Sequence, residues 1–401
     1  MSWPDAREKY LLKAVKAGNV QSRICAGKEE NMTSKERVLK ALNHEQTDRV
    51  PLDLGGMACC LLDGVYFKLK NYLGFKEDIP PFREGSNACY YDERILDYFQ
   101  IDIRRLFVKT NRKYPVHYPD GSFQNEWGIV QRKGPFGMEF VKNPLEDAQA
   151  EELASYAWPR AEELIDLTGM KEQARRLHEE NRYAVALRAP MNGIFEMSCW
   201  LRGTENFMVD MLSDEEFADA LADRVTNVQM EWYGYVLDEI GPYVDIVETG
   251  DDYGSQTSLL LSPECLERFI LSKRKKLNKM IKEKAPQAKI FLHSCGAIKK
   301  AVPAIIDSGV DLLNPIQTVA ADMDPYKLKQ EFGRQICFHG GVDTQKAMRG
   351  TVRDVRDEVK KMLDAMYHDG GYILSSCNHI QDDIPVENII AMFEAAKEFS
   401  V

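Results

Sequence analysis

Eight short apolar segments, separated by stretches with helical patterning, constrain the fold of this chain more than any other feature of its sequence. Strands that alternate with helices predict a parallel sheet covered by helices, because parallel strands need a crossover connection. Eight such strands favour a (β/α)8 TIM barrel in the α/β class over an open doubly wound sheet, since no GxGxxG motif follows the first strand. The segments are VPLDL (50–54), IDIRRLFV (101–108), YAVAL (183–187), VDIVE (244–248), KIFLH (289–293), VDLLN (310–314), QICFH (335–339) and GYILS (371–375).

A residue that can cap a helix N-terminus precedes each predicted helix. Ser213 with Glu216 predicts the start of an amphipathic helix that runs to about Ile240. Gly370–Gly371 marks the end of another helix, since glycine is common just after a helix C-terminus. The other predicted starts are Thr33 with Glu36, Ser262–Pro263 for a helix to about Lys284, Thr351 for the helix that ends at the glycine pair, and Pro385 for the last helix.

The chain divides into an N-terminal extension and one barrel domain. Residues 1–31 are charged and predict a helical extension, and residues 32–401 predict the barrel. A lid, a dimer contact and a disordered tail are all compatible with the extension, and a homodimer is therefore compatible with the sequence. Residues 115–140 predict a β-hairpin insertion with Asp120–Gly121 as its turn.

The composition argues against several classes of protein. The 52 Lys and Arg residues against 63 Asp and Glu residues give a net charge of −11, which argues against a nucleic-acid-binding surface. No segment approaches the ~18 consecutive apolar residues of a membrane span, and the first residues are too charged for a signal peptide. Nine cysteines without regular spacing indicate free thiols in a reducing compartment. We therefore expect a cytoplasmic protein that binds neither nucleic acid nor a membrane.

Three side chains that can bind a metal fall at the ends of two predicted strands. His293 and Cys295 lie two residues apart, and alternation along a strand points such residues to the same side. Cys377 follows the last strand, and the active sites of TIM barrels lie where strands end. One imidazole and two thiolates are a zinc-type ligand set that leaves a fourth position open, as in catalytic zinc sites. Buried thiols beside a core histidine are the alternative.

Six segments of the sequence occur in an order and spacing that are typical of one protein superfamily. Through them, residues 33–401 resemble the uroporphyrinogen decarboxylase superfamily, in particular its zinc-dependent methyltransferase branch. The resemblance implies the same barrel and a methyl transfer that involves a corrinoid. The segments are KALNHEQTDRVPLD (40–53), GDDYGSQTSLLLSPE (250–264), FLHSCG (291–296), VDLLNPIQ (310–317), HGGVDTQ (339–345) and CNHIQDDIPVENI (377–389).

Two reactions occur in the superfamily that this chain resembles, metal-free decarboxylation and zinc-dependent methyl transfer, and they use different residues. True decarboxylases of this superfamily have arginines after the first strand that hold the carboxylates of the substrate, and they work without metal. No arginine occurs from Val50 to Cys60, and several carboxylates are hard to hold without guanidinium groups. The methyltransferase branch instead carries an HxC pair and a distant cysteine as zinc ligands, which correspond to His293, Cys295 and Cys377.

The resemblance also suggests a fourth residue of the metal site. Cobalamin-independent methionine synthase, a more distant relative, has a glutamate ligand where this chain carries Gln317. A neutral amide binds zinc more weakly than a carboxylate does. We therefore include Gln317 among the metal-site candidates and expect it to leave the fourth position to the substrate.

Other polar residues near the strand ends are candidates for catalysis. Glu248, Asp251 and Asp252 crowd one strand end, where mutual repulsion would raise the pKa of one of them, and Asp252 is the favoured catalytic residue. Glu248 is a second catalytic candidate, and His339, at another strand end, is a third. Helix capping and solvated loops are the alternatives for the acids.

Two residues directly after Cys377 are candidates for binding the cofactor. Asn378 and His379 would orient the cysteine or cover the site, and a loop that faces solvent is the alternative.

These observations predict a zinc-dependent methyltransferase that moves a methyl group between a small substrate and a corrinoid (cobalamin) protein. An O-methyl compound such as a methoxylated aromatic is the favoured substrate, which would make the enzyme an O-demethylase. The chain has no DxHxxG corrinoid-binding motif, so the corrinoid would arrive on a separate protein. Transfer from a methyl-corrinoid to a thiol, a metal-free uroporphyrinogen decarboxylase and a non-catalytic tetrapyrrole carrier are the alternatives.

Overall fold

Seven parallel strands form one curled sheet in the computed structural model, which describes residues 32–83, 86–110, 113–134 and 137–400. Each strand lies beside the next one along the chain, so helical crossovers connect all of them in the same sense. The α/β barrel that the sequence predicts is confirmed, and each of the seven strands lies within or overlaps a predicted segment. In sheet order they are β1 (Ile103–Leu106), β2 (Ala184–Leu187), β3 (Ile246–Gly250), β4 (Lys289–His293), β5 (Leu312–Asn314), β6 (Cys337–His339) and β7 (Tyr372–Ile373).

The remaining predicted segment, residues 50–54, connects the two edges of the sheet. Leu52 forms a parallel bridge with Leu374, just after β7, and Asp53 donates a backbone hydrogen bond to the same residue. On its other side the carbonyl of Leu52 accepts a hydrogen bond of 2.9 Å from the amide of Asp102, just before β1. The segment thus takes the eighth strand position, although its pairing is too short for a regular strand.

The inward-facing side chains of the strands form two layers, because side chains alternate between the faces of a strand. Val38 and Leu42, on the helix Ser34–Leu42, pack against an apolar layer. Two residues further along each strand the side chain is polar and buried, and we call these residues the polar layer. The apolar layer comprises Ile103, Ala186, Ile246, Phe291, Leu312, Cys337 and Ile373, and the polar layer comprises Arg105, Arg188, Glu248, His293, Asn314, His339 and Ser375.

Helices pack around the sheet, and their N-terminal caps decide where they begin. The starts predicted at Thr33, Ser262, Thr351 and Pro385 are confirmed, the first and third of these with complete capping boxes. The longer helices are Ser34–Leu42, Asp63–Tyr72, Glu93–Phe99, Met170–Glu180, Ile194–Arg202, Thr204–Ser213, Glu215–Ile240, Ser272–Lys284, Pro325–Phe332, Val352–Met366 and Val386–Phe399, and the shorter ones are Glu152–Ser155, Ala161–Leu164, Pro263–Cys265 and Val302–Asp307. A π-helical turn, Leu266–Leu271, joins the segment opened by Ser262 to the helix that ends at Lys284.

The predicted helix start at Ser213 is wrong by one residue. Asp214 is the cap, and its carboxylate accepts a hydrogen bond from the amide of Phe217. Ser213 is the last residue of the preceding helix, and its hydroxyl bonds the carbonyl of Val209. Asp214 has a non-helical backbone (φ −145°, ψ 67°), as an N-cap needs, and this backbone geometry selects between two residues that can both cap.

The insertion after β1 contains the predicted hairpin within a larger antiparallel sheet. The turn at Asp120–Gly121 is confirmed, and Gly121 there has φ +82°, which favours glycine. A short pair, Lys109–Thr110 with Ile165–Asp166, flanks the insertion. The four strands of the insertion sheet are Val116–His117, Ser122–Gln124, Val130–Gly134 and Gly137–Lys142.

The predicted extension, residues 1–31, lies outside the described residues, and its boundary with the barrel domain therefore stays a prediction. Within the described part of the chain, no helix combines the length and the apolar character that a membrane span requires.

Candidate functional site

The polar layer lies at the carboxyl ends of the strands, which all meet at one end of the barrel because the strands are parallel. We call this end the barrel mouth. His293 is the last residue of β4, and Asn314, its partner in register, is the last residue of β5. His339 is the last residue of β6. Buried polar groups need partners inside the protein, and the bonds among these side chains therefore determine what the site can do.

His293, Cys295 and Asp252 form a compact group at the barrel mouth. The Cys295 Sγ atom lies 3.3 Å from His293 Nε2, and Asp252 Oδ1 lies 3.5 Å from the same nitrogen. Asp252 Oδ1 also accepts a hydrogen bond of 2.8 Å from the amide of Cys295. One nitrogen, one sulfur and one oxygen atom thus lie within 4.8 Å of one another, close enough to bind a single cation.

Cys377 lies on the loop that contacts this group. In the described part of the chain it is not a member of the three-atom group, and its Sγ atom pairs with the hydroxyl of Thr344 at 3.4 Å. The next residue, Asn378, donates a hydrogen bond to the Cys295 Sγ atom over 3.6 Å. Burial raises the pKa of the Cys295 thiol, and the charges of Asp252 and Cys377 raise it further. The two cysteines are therefore electrostatic neighbours, with the sulfur of Cys377 turned towards Thr344.

Gln317 supports the loop that carries Cys295. Its Oε1 atom accepts a hydrogen bond of 2.9 Å from the amide of Gly296. Gly296 has φ +91°, and a Cβ atom there would lie 2.5 Å from backbone atoms of Gly254 and Ser255. Only glycine fits at position 296, and the Gln317 oxygen provides the hydrogen-bond acceptor for the Gly296 amide.

A chain of buried hydrogen bonds leads from His293 into the barrel. Its Nδ1 atom lies 2.6 Å from Asn314 Oδ1, and Asn314 Nδ2 lies 2.7 Å from His339 Nδ1. The other nitrogen of His339, Nε2, lies 2.8 Å from Asp53 Oδ2. His339 therefore contacts Asp53 and Asn314 and belongs to the support of His293.

Arg105 joins two buried carboxylates below the mouth. Its Nη1 atom donates to Asp53 Oδ1 and its Nε atom donates to Glu248 Oε1, each over 2.8 Å. Burial acts to raise the pKa of Asp53, but the charge of Arg105 and the hydrogen bond with His339 hold it well below its usual value. A second group of potential ligands, Asp53 with Cys59 and His339, also lies here. Arg105 already neutralises the carboxylate of Asp53, and a metal ion bound by this second group is therefore disfavoured.

Glu248 and Arg188 carry the polar atoms of this network that lack partners. Glu248 Oε2 and Arg188 Nη1 are buried, form no hydrogen bond and lie 3.8 Å apart. Arg188 also donates to the carbonyl of Met57. Glu248 is thus an ion-paired residue whose second oxygen, with the guanidinium opposite it, could bind a polar group.

The three acidic residues on or just after β3, Glu248, Asp251 and Asp252, make different contacts. Asp251 is fully buried and caps the helix Ile194–Arg202 through the amides of Phe195 and Glu196. Burial raises its pKa although Arg274 lies beside it. Glu248 pairs with Arg105, and Asp251 contacts His293 through its backbone amide. The carboxylate of Asp252 contacts both His293 and Cys295.

Asn378 and His379 connect the loop after β7 to two neighbouring loops, Asn378 through the Cys295 sulfur and His379 through the amide of Cys60. The Nδ1 atom of His379 accepts a hydrogen bond of 3.1 Å from the amide of Cys60, which links this loop to the one after residues 50–54. Burial lowers the pKa of His379 to about 3, and the positive charges of Arg188 and Arg83 act in the same direction.

Several residues of the site escaped the sequence analysis. Arg105, Arg188 and Asn314 belong to the polar layer, and a polar residue two positions after an apolar inward residue was the signal that could have found them. Glu196 was also missed. Burial raises its pKa to about 8, and the charges of Asp251 and Asp252 contribute, so that this carboxyl group holds a proton near neutral pH.

The comparisons with known proteins agree with this architecture. Residues 130–399 match the family model described as "Uroporphyrinogen decarboxylase (URO-D)". A uroporphyrinogen decarboxylase of Microcystis aeruginosa is 25% identical over 46% of this chain and 48% of its own length. A methylated-thiol–coenzyme M methyltransferase of Methanosarcina mazei is 26% identical over 51% of each chain. The chain thus spans about half the length of these curated relatives.

A solved structure extends the similarity to the whole barrel. A methyltransferase from Methanosarcina mazei superposes with a TM-score of 0.62 at 18% identity, over 92% of this chain and 100% of that chain. At this identity the superposition supports the fold alone.

Proposed function

The chain belongs to the uroporphyrinogen decarboxylase family, and on that basis we propose that it is a zinc-dependent methyltransferase that moves a methyl group between a small substrate and a corrinoid on a separate protein. The observation that carries the proposal is the group of His293, Cys295 and Asp252, whose nitrogen, sulfur and oxygen atoms face one another within 4.8 Å at the barrel mouth. An imidazole and thiolates favour zinc over magnesium or calcium.

The residues present fit a zinc ion. His293 and Cys295 would hold it together with Cys377, whose neighbour Asn378 already contacts the Cys295 sulfur. Two thiolates and a neutral imidazole balance the charge of Zn²⁺. Asp252 is the nearest oxygen ligand, and Gln317 supports the Cys295 loop through Gly296. We therefore assign the fourth position to Asp252 or to the substrate rather than to Gln317.

The surrounding residues supply orientation and a proton. When bound, zinc would polarise the oxygen of a methyl ether or lower the pKa of a thiol. Demethylation of an ether would break its O–CH3 bond, with the methyl group passing without its bonding electron pair to a reduced corrinoid on the partner protein, and the departing oxygen would keep that pair and have to gain a proton. Glu196 holds a proton near neutral pH, and its ionised form would raise the pKa of the Cys295 thiol, so we assign it the role of proton donor beside the metal site. An O-methyl compound such as a methoxylated aromatic is the favoured substrate.

The corrinoid would be presented by a partner protein. The chain has no DxHxxG corrinoid-binding motif, and the strand ends with their loops form the face at which such a partner would dock. Asn378 and His379 lie on the loop after β7 and would contact the cofactor from that side. Glu248 and His339, candidates from the sequence, instead act within the barrel by holding Arg105 and Asn314.

Metal analysis of the purified protein is the direct test. We expect about one zinc per chain, as one catalytic site requires, and loss of most of that zinc in Cys295→Ala and in Cys377→Ala. Cys265→Ser, which changes a partly exposed cysteine at the start of another helix, is the matched control and should retain zinc. Methyl transfer to a reduced corrinoid, followed by its absorbance spectrum, should require the bound metal. A wild-type enzyme that is active without metal would contradict the proposal.

One observation favours a second candidate, transfer of the methyl group from the corrinoid to a thiol that carries an anionic group. Arg188 presents a buried Nη1 atom without a hydrogen-bond partner. Burial and the charge of Arg188 lower the pKa of Arg83, so the two cations repel each other and an anion near them would relieve that repulsion. A comparison of neutral and sulfonated thiols as acceptors separates this candidate from the first.

The metal-free decarboxylase has less support. Arg105 could in principle bind the carboxylates of a tetrapyrrole, but Asp53 and Glu248 already occupy its nitrogen atoms. The segment from Val50 to Cys60 contains no arginine. Release of carbon dioxide from uroporphyrinogen would overturn this ranking.

A further inference from the structure

Two histidines of the polar layer contact the same buried side chain, the amide of Asn314. The oxygen of this amide faces His293 at 2.6 Å and its nitrogen faces His339 at 2.7 Å. Asn314 and His339 have exposed fractions of 1% and 0%, so water does not compete for these contacts. Each hydrogen bond therefore has one donor and one acceptor. If the donor is known in the bond at one end of this series, the donor in every other bond follows.

The anchored end is the carboxylate of Asp53. Arg105 donates to both of its oxygens and holds it ionised, so Asp53 can only accept a hydrogen bond from His339 Nε2. A neutral His339 that carries its proton on Nε2 has a lone pair on Nδ1. This lone pair accepts from the Asn314 NH2 group, which turns the Asn314 oxygen towards His293.

The other end of the chain then has a defined tautomer. Because Asn314 Oδ1 can only accept, His293 must carry its proton on Nδ1. Its Nε2 atom keeps a free lone pair, and this is the nitrogen that faces Cys295 at 3.3 Å and Asp252 at 3.5 Å. The required donor directions agree along four residues that come from four separate elements of the barrel, namely β4, β5, β6 and the segment 50–54.

We propose that Asn314, His339 and Asp53 are positioning residues that hold His293 in the tautomer whose Nε2 lone pair faces the metal site. The inference rests on the proposed zinc site and specifies its support. Hydrogen bonds of this kind orient ligand histidines and increase their basicity, and their loss typically lowers metal affinity by about 10- to 100-fold. Gly340 leaves space for this arrangement, because a Cβ atom there would lie 3.2 Å from Asn314 Nδ2.

The first measurement needs no variant. Nitrogen-15 NMR of the metal-free protein with labelled histidine reports which nitrogen of each imidazole carries the proton, and His293→Gln identifies the resonance. We expect a protonated Nδ1 and an unprotonated Nε2 for His293. A protonated Nε2 in the wild-type protein would overturn the inference, whether or not any variant folds.

The second measurement is zinc affinity by competition with a chelating dye. Asn314→Leu, which is similar in shape but has no polar atoms, should weaken zinc binding about 10- to 100-fold and remove the tautomer preference of His293. Asn314→Asp should retain the tautomer preference of His293, because a carboxylate oxygen still accepts from its Nδ1–H, although this variant loses the donor that faces His339 Nδ1. Asn278→Leu removes a buried asparagine that bonds the carbonyl of Ser308 in another helix, and it should leave zinc affinity unchanged.

The outcomes separate the two proposals. Wild-type affinity in Asn314→Leu would overturn the positioning role while the zinc site stands. A wild-type protein that shows the expected tautomer but binds no zinc would overturn the proposed function and leave the hydrogen-bond chain supported.

Discussion

Asn378 donates a hydrogen bond to the sulfur of Cys295, 83 residues earlier in the chain, and thereby joins the loop after β7 to the loop after β4. Cys377, which immediately precedes Asn378, is carried to the barrel mouth by this contact. Asp252, His293 and Cys295 lie together at the carboxyl ends of the strands, where catalytic residues of such barrels lie, and the place of Cys377 among the ligands stays a prediction.

We predict that Asp252→Asn weakens zinc binding about tenfold or more, because it removes the negative charge nearest to His293 and Cys295. The measurement is zinc affinity by competition with a chelator. Asp322→Asn is the control, since Asp322 is exposed and its backbone (φ +61°) also suits asparagine. Equal affinities of Asp252→Asn and the wild type would mean that Asp252 neither binds nor orients the metal.

Replacement of Arg105 by methionine should destabilise the protein by about 3–5 kcal/mol, because Asp53 would remain buried without its arginine and Glu248 would keep only Arg188, at 3.8 Å. Urea unfolding measures this change in the free energy of unfolding. Arg353→Met removes an exposed ion pair with Asp357 and should cost about 0–1 kcal/mol. A similar small effect at Arg105 would contradict the description of this network.

The stability of the protein should depend on pH through Glu196, whose pKa burial and neighbouring acids raise to about 8. A carboxyl group with a higher pKa in the folded state binds its proton more tightly when folded. The stability contributed by this proton is complete below the unfolded pKa and is lost as pH rises towards the folded pKa, here from about pH 5 to about pH 8.

Glu196→Gln should therefore gain stability relative to the wild type as pH rises over that range, by about 1 kcal/mol or more. Thermal unfolding at several pH values, with a chelator present, measures the difference. Glu205→Gln, on the next helix and exposed, should show a constant difference from the wild type. A constant difference for Glu196→Gln as well would show that this carboxyl group titrates normally.

If the methyl acceptor is an anionic thiol, Arg188→Met should raise its KM by about 10- to 100-fold, because a charge-assisted hydrogen bond is lost. The KM for a neutral thiol should change much less. Steady-state kinetics with both acceptors tests this difference, and Arg349→Met, which changes a more exposed arginine paired with Asp383, is the control. Equal effects on both thiols would remove the anion-binding role of Arg188.

The elements of the fold were predictable because their signals are local. A strand that is buried on both faces is mostly apolar, and β4 and β6 are therefore visible as short apolar segments, each of which ends in a buried histidine. The capping box of Thr351 lies within four consecutive residues. The start at Ser213 was wrong because Asp214 beside it can cap equally well, and only the backbone angle selects one of them.

The candidate site was predictable in part. His293 was predictable from its place at the end of β4, Cys295 from its position two residues later on the following loop, and Asp252 from its place just after β3. The partners of Arg105 could not be predicted, since Asp53 and Glu248 lie 52 and 143 residues away in the chain. Glu196 shows no local signal either, because its raised pKa results from burial beside Asp251 and Asp252.

The sequence by itself determined the barrel and the helices around it, because apolar periodicity and capping depend on residues close together in the chain. Only the tertiary structure decided which nitrogen of His293 faces Cys295, since that depends on an anchored chain of side chains from separate strands. Asp53 determines which atoms of His339 and Asn314 donate and which accept. It can do so only because packing has excluded water and brought donors within about 3 Å of acceptors.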